Sequence, residues 1–411
     1  MRLRPVFASL LVLATLSLVL PPQNTIGEEG EQAFQKNCGL CHKLDRPRAR
    51  HLSPEEWHRI IDRMVGFGCP IGASQEKQAA VLDYLVKTQG PLATPVAAKA
   101  YVVNEELVKT QGPLATPVAA KAYVVNEESD DVWVIDVASR KVLAKVKVGK
   151  VPHGITAAPD GKAVYVTNQG ADSITVINTE TYVTSVMGGT GRNPHLAAAS
   201  PDSRLLYVSN PSSNTVTVHD MTTHLAVASI PVGPFPHGVT VSPDGKRVYV
   251  ALMEGAAIAV IDTAAKQVVA TIPTAAGPHR MAITPDGKVL YVVNLNADRL
   301  SMIDTEHSRE IKSVLVGPKP YDVTLNAASG VLWVANDGAD SVQAFDSRTL
   351  DLLATVSVPG SPHGVALTSD GRELWVAGLW ANTVAIVDTA QRKVVGTLPA
   401  GLHPHFTLIV T

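Results

Sequence analysis

Cysteine is scarce in this chain. Only Cys38, Cys41 and Cys69 occur among 411 residues, whereas a secreted fold stapled by disulfides would carry more, and in even number. An excess of either charge is also missing: the formal net charge is −2, so no basic face points to nucleic acid. Neither a phosphate-binding glycine loop nor a nucleophile triad is present, and the recurrent Asp-Gly pairs read as hairpin turns rather than catalytic acids. What remains is a globular composition, 45 % hydrophobic, with length for two or three domains.

The first residues speak of export. Arg2 and Arg4 precede an apolar run from Val6 to Leu20, closed by Pro21-Pro22. This is a charged n-region and an h-region too short for a comfortable membrane span. Residues 1–26 are therefore expected to be a signal peptide. No clear A-x-A site follows, so an uncleaved N-terminal anchor, tethering the protein to the membrane, is the alternative. Either way the protein is expected in the periplasm.

Two of the three cysteines stand in CGLCH at 38–42. C-x-x-C-H is the attachment motif of c-type haem. Thiols one helical turn apart, Cys38 and Cys41, add to the two vinyl groups, and the His42 imidazole reaches the iron from the same turn. A zinc site would need a second ligand pair at finger-like spacing, and a thioredoxin-like motif would need a βαβ pattern; neither is present. Downstream, LSPEEWHRIIDRM opens with Ser53 as N-cap, Pro54 at the first helical position and Glu56 completing a capping box. Trp57, Ile60, Ile61 and Met64 then share one helix face. Met64 is the expected second axial ligand, with His51 and His58 as rivals. A third amphipathic segment, 74–90, closes an all-α cytochrome c domain over 27–91. The stretches WHRIIDRM and LDYLVKTQGP resemble the short monohaem c subunits and domains of periplasmic dehydrogenases. Cys69 receives no role.

Beyond residue 120 the hydrophobic period changes from 3.6 to 2. The aromatics Tyr123, Tyr165, Tyr207, Tyr249, Tyr291, Trp333 and Trp375 recur every 42 residues, as do Asp136, Asn178, Asp220, Asp262, Asp304, Asp346 and Asp388. Each unit reads as four short β-branched strands, for instance HGVTVSP, RVYVAL, AIAVIDT and QVVATIP, which suits a propeller blade. These units, with YVTN at 165–168 and its variants, resemble the YVTN family of β-propellers. Residues 121–411 are thus expected to form an all-β seven-bladed propeller. The array starts at a second strand and ends on a lone first strand, HPHFTLIVT, so that last strand should complete the first blade and remove the exposed edges.

A second column of the repeat carries chemistry. Pro-His precedes each innermost strand at His153, His195, His237, His279, His363 and His405, with Tyr321 at the one position lacking histidine. Six imidazoles and a phenol should ring one mouth of the channel. They could hydrogen-bond each blade to the next, or bind a metal or a d1-type haem. The latter idea follows an architectural similarity to cytochrome cd1 nitrite reductases, which join haem c to a propeller. Departures from the repeat cluster in the blades that begin at 237, 279, 321 and 363. Met253, Glu254, Arg280, Lys319 and Trp380 break columns occupied elsewhere by other residues, which points to a one-sided site with Tyr321. Arg280, Lys319 and Tyr321 would suit an anionic or carbonyl-bearing ligand, and Trp380 would stack.

Between the two patterns, LVKTQGPLATPVAAKAYVVNEE occurs twice, at 85–106 and 107–128. Twenty-two residues do not fit a period of 42, so the duplication is no extra blade. It marks the seam, with 92–120 as linker and Tyr123, not Tyr101, expected in the sheet. The functional expectation is one-electron transfer: a component of a periplasmic oxidoreductase, served by a redox partner protein or dehydrogenase subunit. The alternatives are a propeller that only docks partners, and a histidine ring that binds a catalytic metal or d1-type haem.

Overall fold

A computed structural model describes residues 120–411. The leader, the cytochrome reading of 27–91 with its haem ligands, and the linker up to 119 lie outside the described residues. The described residues carry 28 strands, β1–β28 in chain order, in seven four-stranded antiparallel sheets. Blade closure follows the expectation. β28 (Pro404–Val410) pairs with β1 (Lys121–Asn126), completing the sheet β28-β1-β2-β3. Tyr123, from the second copy of the duplicated segment, faces Leu408 on one side and Val134 on the other.

The aromatic column explains the packing between blades. All seven side chains are buried. Tyr123 packs with Val164 and Val166 of the next blade, and Tyr249 with Leu290 and Val292. Large rings on the second strand thus fill the wedge between twisted sheets. The aspartate column is structural. Asp220 Oδ1 accepts from the Thr222 and Thr223 amides, and Asp262, Asp304 and Asp346 do the same in their blades. These are Asx turns that reverse the chain between third and fourth strands. The Asp-Gly turns hold Gly161, Gly245, Gly287 and Gly371 at positive φ, where a residue lacking Cβ is favoured.

The innermost strands line the axis: β4 (Pro152–Ala157), β8 (Ala197–Ala199), β12 (Pro236–Val241), β16 (Pro278–Ile283), β20 (Pro320–Asn326), β24 (Pro362–Leu367) and β28. A proline precedes the channel residue in every blade, where its missing N–H disturbs no ladder. The pairing register then skips a residue, between Pro152 and Ile155, Pro236 and Val239, Pro278 and Met281, and Pro362 and Val365. Such a bulge re-aims the side chain it carries, here the channel histidine.

Candidate functional site: an aromatic ring closing one channel mouth

His153, His195, His237, His279, Tyr321, His363 and His405 form a closed circle. Neighbouring ring centroids lie 3.8–4.7 Å apart the whole way round. His195 and Tyr321 are partly accessible, and the other five are buried. The seven equivalent positions of the repeat thus meet in one circle.

Histidine bonds another blade where His279 Nδ1 donates to the Tyr321 carbonyl at 2.7 Å, and again where His405 Nε2 meets the Tyr321 hydroxyl at 3.2 Å. Turn residues form a further set of such bonds. In six blades an Asp or Asn in the turn between second and third strands accepts the amide two residues before the next blade's channel residue. Asp130 takes Val151, Asp172 takes Asn193, Asn214 takes Phe235, Asp298 takes Lys319, Asp340 takes Ser361 and Asn382 takes His403. All six acceptors have left-handed backbone, with φ of 45–55°, which Asn and Asp tolerate best. Thr167 and Ser209 hydroxyls add bonds to the carbonyls of His195 and His237, both at 2.6 Å. These bonds clasp adjacent blades without an imidazole.

Electrostatically the ring divides. Burial and neighbouring imidazoles hold His153 and His237 well below the usual histidine range, while burial, as the largest cause, takes His195 and His279 down to about 3. These four are neutral at physiological pH. The opposite arc is more polar. Tyr321 stacks on His363 with planes 4° apart, and its hydroxyl lies 3.2 Å from His405 Nε2. His363 Nε2 sits 3.3 Å from the buried Asp337 Oδ1, which also bonds Ser361 Oγ.

The proposed one-sided residues meet mixed fates. Arg280 is committed: its Nε donates to Asp322 Oδ1 at 2.9 Å, and its guanidinium lies over Phe406, 4.8 Å from the centroid. Its charge is thus matched within the protein. Lys319 lies two residues before Tyr321, with φ of 52°, and its carbonyl accepts the Asp337 amide. Trp380 meets His403 edge-on at 4.6 Å. Met253 and the exposed Glu254 belong to the turn of another blade, tied to the mouth through the Met253 amide and the Phe235 carbonyl. Asp322 and Asp337 are the residues in contact with the ring and with Arg280 that sequence reasoning missed. Asp322 had a signal, since it occupies the repeat column of Arg280 one blade on, with opposite charge.

Fold and site together define a seven-bladed β-propeller with an aromatic ring across one channel mouth. Residues 144–387 match the model of the Virginiamycin B lyase family, and the chain belongs to that family. No match was found among curated proteins. Among solved structures, the chain is similar to the Kuenenia stuttgartiensis hydrazine synthase, at 24 % identity and a TM-score of 0.58, over 62 % of this chain and 88 % of that one. It is also similar to the dihydro-heme d1 dehydrogenase NirN in complex with DHE, at 17 % identity and a TM-score of 0.59, over 92 % of this chain and 98 % of that one. A functionally unknown protein from Desulfotomaculum acetoxidans DSM 771 matches at 15 % identity and a TM-score of 0.62, over 71 % and 98 % of the two chains. At these identities the likeness is one of fold.

Proposed function

We propose that the protein is an exported c-type haem electron-transfer protein and a component of a periplasmic oxidoreductase. The observation that carries this is CGLCH at 38–42, behind an export-type leader and ahead of a complete propeller. Cys38 and Cys41 would hold the haem, with His42 and Met64 as its iron ligands. Bound there, the haem would supply one-electron transfer between a donor and an acceptor, a redox partner protein or dehydrogenase subunit. Haem-linked naming of the fold neighbour NirN supports this reading.

The propeller's part is to receive a substrate, cofactor or partner at the ringed mouth. Tyr321, with His363 and Asp337 behind it, favours a polar ligand there over a passive docking scaffold. Were the mouth to take a d1-type haem, a channel imidazole would be the residue available to hold it.

The test is production of the full chain with c-type haem maturation, followed by reduction with dithionite. A c-type reduced spectrum that reoxidises with a one-electron acceptor supports the reading. A colourless, fully folded chain contradicts it.

A further inference from the structure

We propose that His153, His195 and His237 form a binding site for one transition-metal ion of the zinc class, with three neutral imidazoles as ligands and a further position open to water or a small anion. The three stand on consecutive blades, and one ring nitrogen of each lies within 4.8 Å of those of the other two. In each of the three, Nδ1 is buried and makes no hydrogen bond among the described residues. Buried polar atoms are ordinarily paired, so three imidazoles that each carry an orphaned nitrogen, and that bring ring nitrogens within 4.8 Å of one another, call for a ligand.

The rest of the ring sharpens the choice. His279 spends its Nδ1 on the Tyr321 carbonyl, His363 faces Asp337, and His405 faces the Tyr321 hydroxyl. Only the 153–195–237 arc combines convergent nitrogens with the absence of a bonded carboxylate or hydroxyl. The clasping role that would otherwise account for repeated histidines belongs to the Asp and Asn residues of the turns.

Donor chemistry sets the metal class. An all-imidazole set suits Zn, Cu, Ni or Co, while Mg and Ca take oxygen. Tetrahedral ligation at bond lengths of about 2.0–2.1 Å places ligand nitrogens about 3.3 Å apart. Bound zinc would therefore draw the three nitrogens, which lie within 4.8 Å of one another, closer together.

Zinc is the probe, because it is counted separately from haem iron and the result does not depend on the haem reading. The full chain is stripped with chelator, then dialysed against Zn(II) and analysed for metal. One zinc per chain is expected, with affinity weakened at least about 100-fold in His195→Gln and changed less than about 3-fold in His363→Gln. No retained zinc, equal losses in both variants, or only weak surface zinc untouched by His195→Gln would overturn the proposal. Should His195→Gln fail to fold, X-ray absorption at the zinc edge of the wild type decides: imidazole nitrogens near about 2.0 Å support the site, and a shell dominated by oxygen or sulfur overturns it.

Discussion

Asp322 ties three consecutive blades together through one carboxylate. Its Oδ1 accepts from Arg280 Nε at 2.9 Å, and its Oδ2 accepts from the Val365 amide at 3.0 Å. The carboxylate is almost wholly buried, and the guanidinium is only about one quarter exposed. Removing one partner of such a pair strands the other in a poorly solvated place.

Asp322→Ala is therefore expected to destabilise the propeller by about 3 kcal/mol, at the lower end of the range for buried pairs because Arg280 keeps some water. Replacing both residues, Arg280→Met with Asp322→Leu, should recover part of the loss. Chemical denaturation of the three variants reads the coupling. Equal stabilities for the wild type and Asp322→Ala would show that the pair is dispensable.

Gly154 illustrates why three blades keep glycine after the channel histidine. A Cβ there would stand 2.5 Å from the His195 carbonyl oxygen and 2.8 Å from Leu196 Cδ2. The carbonyl belongs to the backbone of the next blade and is already held by Thr167, so it cannot yield cheaply. Gly154→Ala should lose about 1–3 kcal/mol, seen as a lower midpoint in urea.

His219 fills a column that is isoleucine in four other blades, at 135, 177, 261 and 303. It is fully buried, and neither ring nitrogen finds a partner among the described residues. Burial pushes its pKa down to about 4. Since the unfolded chain titrates near about 6.5, the unfolded state binds more protons between these values. Its contribution to stability is thus present above about 6.5 and is lost as pH falls towards about 4. His219→Ile should raise stability at pH 7 by about 1–3 kcal/mol by removing two unpaired polar atoms. It should also flatten the decline between pH 6.5 and 4, the window set by those same two pKa values. Thermal unfolding across pH for both proteins checks this.

Met64→Ala addresses the axial ligand. The wild type should show the near-infrared sulfur-to-iron band of His/Met ligation in its ferric state, and the variant should lose it along with a drop in reduction potential. A wild type without that band would assign the sixth position to another group, His51 or His58 being the rivals.

The fold was legible because a repeat array writes the same blade seven times. The column of Tyr123 to Trp375 and the column of Asp136 to Asp388 each mark one structural duty, and the lone last strand announced its own closure with β1. The ring was legible for the same reason, since seven equivalent positions must converge on one axis. What the sequence concealed were contacts between different columns of adjacent blades. That His363 would meet Asp337, or that Asp130 would accept the Val151 amide, depends on how each turn overhangs the next inner strand. The repeat alone carries no trace of that overhang. The pairing of Arg280 with Asp322 was hidden for the same reason, since the two lie 42 residues and one blade apart.

One covalent haem on Cys38 and Cys41 is what the proposed electron-transfer function requires of this chain. Intact mass spectrometry of the denatured protein tests it most directly. The predicted result is a mass above that of the processed polypeptide by a single haem, lost when Cys38 and Cys41 are both replaced by alanine. A mass equal to the bare polypeptide, from cells that load haem onto a control cytochrome c, would contradict it.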